Sequence, residues 1–116
     1  MPHMFENYNK LTSLDLSNFI SNEVIDISNI FKSCGLLVSL DISNFNIEKV
    51  IDISSLFKYC NRFQMIEFNF DTSIIKDMSS LFQNCRNLRE IDISGFNTEN
   101  VKNMAKMFEG CEFLQS

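Results

Sequence analysis

A repeat of 25–26 residues, kept over most of the chain, constrains this sequence more than any other feature. Cys34, Cys60, Cys85 and Cys111 are 26, 25 and 26 residues apart, and Phe31, Phe57, Phe82 and Phe108 keep the same intervals. Leu14, Leu40, Ile66 and Ile91 form a third column, Val24, Val50, Ile75 and Val101 a fourth, and Ile27, Ile53, Met78 and Met104 a fifth. Four units with five apolar columns in register mean that one local structure is built four times. No unit of this kind buries its apolar side alone, so neighbours must stack. The chain enters the pattern midway, because Met4, Phe5, Tyr8 and Leu11 align with Ile30, Phe31, Cys34 and Leu37. It stops near Leu114, where the next strand is due. One unit is a residue short, with Glu67, Phe68, Asn69 and Phe70 replacing the usual Asp-Ile-Ser-Asn-Phe, and a kink or tightened turn is expected there.

Each unit changes its apolar period halfway. Leu14-Asp15-Leu16-Ser17 and Leu40-Asp41-Ile42-Ser43 alternate apolar and polar residues, the pattern of a short half-buried strand. Ile27, Ile30, Phe31 and Cys34 then follow i, i+3, i+4, i+7, which predicts one face of a short helix. Asp26, Asp52, Asp77 and Asn103 precede these runs as expected N-caps. Gly35 and Asn61 follow two of them, where a left-handed C-cap fits. The expected architecture is therefore α/β: a solenoid with one short parallel strand plus one short helix per unit. Strands line up in a single sheet and helices pack behind it. Residues 1–116 read as a single solenoid domain of about four and a half units, incomplete at both ends.

The unit resembles the BspA-like leucine-rich repeats, in the 26-residue form of mycoplasma surface proteins. The resemblance is carried by Leu-Asp-Ile-Ser-Asn-Phe-Asn at 40–46, by Asp-Ile-Ser-Gly-Phe-Asn-Thr at 92–98, and by the segment 101–111, and it spans residues 4–114. It implies a leucine-rich-repeat solenoid on a cell surface that binds other proteins or matrix, sometimes as an adhesin.

Asp15, Asp41, Glu67 and Asp92 fall between inward strand residues and so point out of the sheet, with Ser13, Ser39, Met65 and Glu90 beside them. Asp15, Asp41, Glu67, Glu90 and Asp92 are the candidate protein-binding face. The competing reading gives these carboxylates a turn-closing role through bonds to nearby backbone. The four cysteines lie on separate units with no close pair, unlike zinc-binding spacing. They read as a core column, with a disulfide between stacked units as the alternative and a metal site after that. Tyr8 in the first cysteine position fits packing. Phe19, Phe45, Phe70 and Phe96 are expected to turn inward after each strand.

A net charge of −5 with no basic run argues against nucleic acid as a partner. No apolar run is long enough to span a bilayer, so no membrane insertion is expected. No secretory leader is visible, and the compartment stays open. No nucleophile elbow, phosphate loop or paired-histidine metal motif occurs, and His3 is the single imidazole. These readings point to a non-catalytic protein–protein interaction module without a cofactor or metal, binding a protein partner through its concave strand face. The alternative is a structural component of a larger assembly, held by uncapped ends and its helical face. In that case the ends stack on further repeats or other chains.

Overall fold

The structure, a computed structural model, describes residues 2–16, 22–42, 46–67 and 71–115, without the side chains of 65–67. The alternating stretches form four three-residue strands: β1 (Ser13–Asp15), β2 (Ser39–Asp41), β3 (Met65–Glu67) and β4 (Glu90–Asp92). Parallel pairing sets Leu14 beside Leu40 and Ile66 beside Ile91, so the sequence columns are spatial rows. The pairing runs β1–β2 and β3–β4, giving two two-stranded ladders instead of the single sheet expected. Continuity across all four units comes from a second line of contact, the bridges Asp26–Asp52, Asp52–Asp77 and Asp77–Asn103. The expected kink at residues 68–70 lies outside the described residues, as do Phe19, Phe45 and Phe70. Just past that point Thr72 is fully buried, and its hydroxyl donates to the Asn97 carbonyl and accepts from the Asn97 N–H. Phe96 is half-buried against the core, as its column predicts.

The short helix expected in each unit is not there. Among the described residues none is helical, and the segment after each Asp is a run of β-turns. Ile30, Lys32 and Cys34 donate to the carbonyls of Ile27, Asn29 and Phe31, closing three turns in succession. Asn29 and Ser33 adopt φ of 59° and 63°, the left-handed third residue of a type II turn. The same two positions are left-handed in every unit: His3, Ser55, Ser80 and Lys106 in one row, and Asn7, Tyr59, Asn84 and Gly110 in the other. Gly35 and Asn61 are not among the left-handed residues, so the C-cap expectation also fails.

The physical reason is where the remaining amides go. A helix spends its N–H groups within its own segment. Here Ile27, Asn29, Phe31 and Ser33 donate instead to Asp52, Ser54, Leu56 and Lys58 of the next coil. The turn wall is thus hydrogen-bonded from coil to coil, as the strands are. Spacing agrees: Phe5, Phe31, Phe57, Phe82 and Phe108 stack with centroids 5.7–5.8 Å apart and planes within 8°. Packed helices need 8–10 Å between axes, more than the 5.7–5.8 Å between successive coils of this wall.

The Asp column keeps its capping chemistry in the new setting. Asp26, Asp52 and Asp77 each accept the N–H of the serine two residues on at 2.8 Å, and Asn103 accepts from Ala105 at 3.1 Å. Each opens a turn wall rather than a helix.

One substitution distinguishes the two structures by its sign. Ser55 has φ of 55°, a conformation that a residue with a Cβ holds at a cost of about 1 kcal/mol or more. Ser55→Gly is expected to leave stability unchanged or raise it by up to about 1 kcal/mol in urea denaturation. In a helix interior the same change would cost about that much, and a measured loss of that size would reinstate the helix.

Candidate protein-binding face

The strands divide their side chains as the alternation requires. Leu14, Leu40 and Ile91 pack against the core, while Ser13, Asp15, Ser39, Asp41, Glu90 and Asp92 are exposed. Strand register puts Asp15 beside Asp41, Glu67 beside Asp92, and Met65 beside Glu90. Glu67 is placed by its backbone alone. Asp15, Asp41, Glu90 and Asp92 therefore share the exposed side of the strand wall, and Glu67 holds the register position beside Asp92.

Asp92 also has a local duty. Its Oδ1 accepts the Ser94 hydroxyl at 2.6 Å and the Ser94 N–H at 2.9 Å. These two bonds hold its carboxyl below the usual carboxylate range. Asp71 does the same with Ser73, at 2.8 and 2.9 Å. The turn-closing role weighed for these carboxylates thus operates at Asp92.

Two residues of this wall were missed from the sequence. Val38, 47% exposed, and Arg89, also exposed, both directly precede a strand. Their N–H groups donate to the carbonyls of Thr12 and Gln64 in the preceding coil. Strict alternation would send both side chains where Leu14 goes. The signal against that was the polar content of their column, which holds Thr12, Gln64 and Gln115.

The cysteines form one row. The Sγ atoms of Cys34, Cys60, Cys85 and Cys111 donate to the carbonyls of Phe5, Phe31, Phe57 and Phe82 at 3.0–3.1 Å. All four are free thiols. Burial pushes Cys85 up to about 12 and Cys60 well above the ordinary thiol range. Both are protonated donors at neutral pH, not nucleophiles. Among the described residues no group of three His, Cys, Asp or Glu side chains is arranged to hold a metal ion. His3 pairs with Glu6, which also pairs with Lys32 at 3.0 Å. Among the described residues no helix is long and apolar enough to cross a membrane.

The sequence profile of the family described as "Mycoplasma protein of unknown function, DUF285" matches residues 1–116. The chain belongs to the DUF285 family. No curated protein matches it in sequence. Among solved structures this DUF285 chain is similar to a leucine-rich-repeat protein of T. pallidum, with a TM-score of 0.63 and 22% identity. That likeness covers 99% of the chain and 49% of the other, so the chain spans about half the length of that structure. At this identity the likeness establishes the fold: DUF285 residues here form a leucine-rich-repeat solenoid, with turns where a helix was expected.

Proposed function

We propose that this chain is a single solenoid domain of BspA-like repeats and a non-catalytic interaction module, binding a protein partner through its strand face. The observation that carries this reading is the division of labour within the strands. Leu14, Leu40 and Ile91 serve the core, while the alternate positions Ser13, Asp15, Ser39, Asp41, Glu90 and Asp92 stay at the surface. Side chains at the surface of a rigid wall, outside its core, are available for recognition. Its acidic residues select for a partner carrying lysine or arginine opposite them, and complementary charge gives specificity and a faster encounter. The proposed setting is the cell surface, an adhesin-like role that the BspA-like resemblance implies.

The test uses a photo-crosslinking residue at Ser39 on the strand face and at Lys58 on the turn wall. A partner captured from Ser39 and not from Lys58 is then purified. Charge reversal of Asp41, Glu67 and Asp92 to Lys is expected to weaken its binding at least about tenfold. The circular dichroism spectrum should stay that of the parent chain, and the unfolding midpoint should fall no further than in Asp92→Asn, which weakens the same turn at Ser94 without reversing charge. Capture from Lys58 alone, or unchanged affinity in the triple variant, would refute the reading.

A further inference from the structure

Four exposed positions beside the strand wall form a square that the repeat does not dictate. Phe63 and Leu88 are buried and hold equivalent places in successive coils. The residues on either side of them, Arg62 and Gln64 in one coil and Asn87 and Arg89 in the next, are exposed. The Arg89 N–H donates to the Gln64 carbonyl at 2.9 Å, which continues the β3–β4 pairing and fixes the register of the square. Arg62 therefore lies beside Asn87, and Gln64 beside Arg89, with the two arginines on a diagonal. At about 4.8 Å between neighbouring strands and about 3.3 Å per residue along them, that diagonal is about 8 Å between α carbons.

The columns behind these positions keep no residue type. Leu36 and Asn87 stand in the column of Arg62, and Val38 and Gln64 in that of Arg89. The row Asp15, Asp41, Glu67 and Asp92, by contrast, stays acidic in every unit, and Asp92 closes a turn. The needs of the fold account for the recurring row and leave the arginines unexplained. The arginines also lack a counter-charge. Lys32, Lys49, Arg86 and Lys106 each face a carboxylate, whereas among the described residues neither Arg62 nor Arg89 does. That is so in a chain with a net charge of −5. One corner of the square is held in place: the Asn87 side-chain amide donates to the Asn61 carbonyl of the preceding coil at 2.6 Å.

We propose that Arg62 and Arg89 together hold an aspartate or glutamate carboxylate of the protein partner. The inference rests on the strand-face reading, because it assigns a second charge to the same partner. A guanidinium is a planar fork of N–H donors that matches the two oxygens of a carboxylate, and two of them neutralise it from both sides. Asp92 lies three residues beyond Arg89, about 10 Å along the strand. The partner thus carries an acidic group and, about 10 Å from it, the lysine or arginine that meets the acidic row. A purely basic partner satisfies only half of this face. A partner with the two charges exchanged sets like charges together at both places. The arginine pair therefore fixes orientation on the wall as well as the choice of partner.

Random linear peptides displayed on phage are selected on the full 116-residue chain and depleted on the Arg62→Gln, Arg89→Gln variant, which isolates binders that need the arginines. Both side chains are exposed, and the bond from Arg89 to Gln64 is made by backbone, so the variant should keep the parent's circular dichroism spectrum and unfolding midpoint. The recovered peptides should carry Asp or Glu. In titrations of one such peptide, changing its acid to the amide should weaken binding to the parent at least about fivefold and leave binding to the arginine variant unchanged. Changing its basic residue, on the parent and on the chain with Asp41, Glu67 and Asp92 reversed to Lys, reads the strand-face reading separately. Failure to recover a binder, recovered peptides without an acid, or an acid whose removal costs the same on both chains would overturn the carboxylate site, whatever the acidic row does. An acid that couples to the arginines, with a base that does not couple to the acidic row, supports the site and removes the strand-face reading instead.

Discussion

Phe57→Ala should remove about 3–5 kcal/mol of stability, a large fraction of the roughly 5–15 kcal/mol that holds most domains together. Phe57 is 1% exposed and lies between Phe31 at 5.7 Å and Phe82 at 5.8 Å, with the edge of Phe63 at 5.4 Å. Its loss leaves a void that both neighbouring coils line. In a nearly one-dimensional array that void weakens the interface on each side, so the halves become less strongly coupled. The urea transition should therefore broaden as well as shift. Phe108→Ala makes the comparison, because among the described residues Phe108 has one ring neighbour in the stack, Phe82 at 5.7 Å. Its cost should be about half that at Phe57. Equal losses at the two positions would mean that the stack does not transmit stability between coils. A loss below about 1 kcal/mol at Phe57 would mean that the site collapses around the missing ring.

The same rings show how far the sequence could be read. The columns of Phe, Cys and Leu predicted stacking, and the Phe rings and thiols do fall into single rows. Asp26, Asp52, Asp77 and Asn103 were legible as capping residues, because their bond to a following amide forms in a turn as it does at a helix start. The helix was misread because consecutive turns closed by i+3 bonds also bury residues at i, i+3, i+4 and i+7. Ile27, Ile30, Phe31 and Cys34 are buried in this way without a helical residue among them. A distinguishing signal was present. Ser28-Asn29, Ser54-Ser55 and Ser79-Ser80 are poor helix formers and good turn formers, and the second residue of each pair is left-handed. The strand face was legible in outline from alternation. Val38 and Arg89 were missed because strict alternation was carried one residue past the strand, against the polar content of their column. The choice of partner was not legible either, because the outward residues repeat with the unit, and such repetition reports the fold before it reports a ligand.

Raising the pH above about 9 should destabilise the chain through the cysteine row. In the folded state burial holds the Cys85 proton up to about 12, against an ordinary value of 9.0, with the neighbouring Cys111 adding to the effect. Between those limits the folded chain binds the proton and the unfolded chain has released it. Stability falls with pH wherever the native state holds more protons. Cys85's contribution is therefore intact below about 9 and is lost progressively toward 12, on the order of 4 kcal/mol over the whole window. Cys60 is also raised, by burial first and then by Cys85 and Cys34, so it acts in the same direction. Urea midpoints measured from pH 7 to 11 should be flat at first and then drop steeply. Lysines and tyrosines also titrate in that range, and the Cys60→Ala, Cys85→Ala double variant separates their part. It should be less stable at pH 7, where two buried side chains and their bonds to the Phe31 and Phe57 carbonyls are gone. Its decline above pH 9 should nevertheless be clearly shallower. Equal slopes in the two proteins would mean that the thiols titrate freely and are not enclosed in the core. The Sγ row would then have no place as a set of buried donors linking one coil to the last.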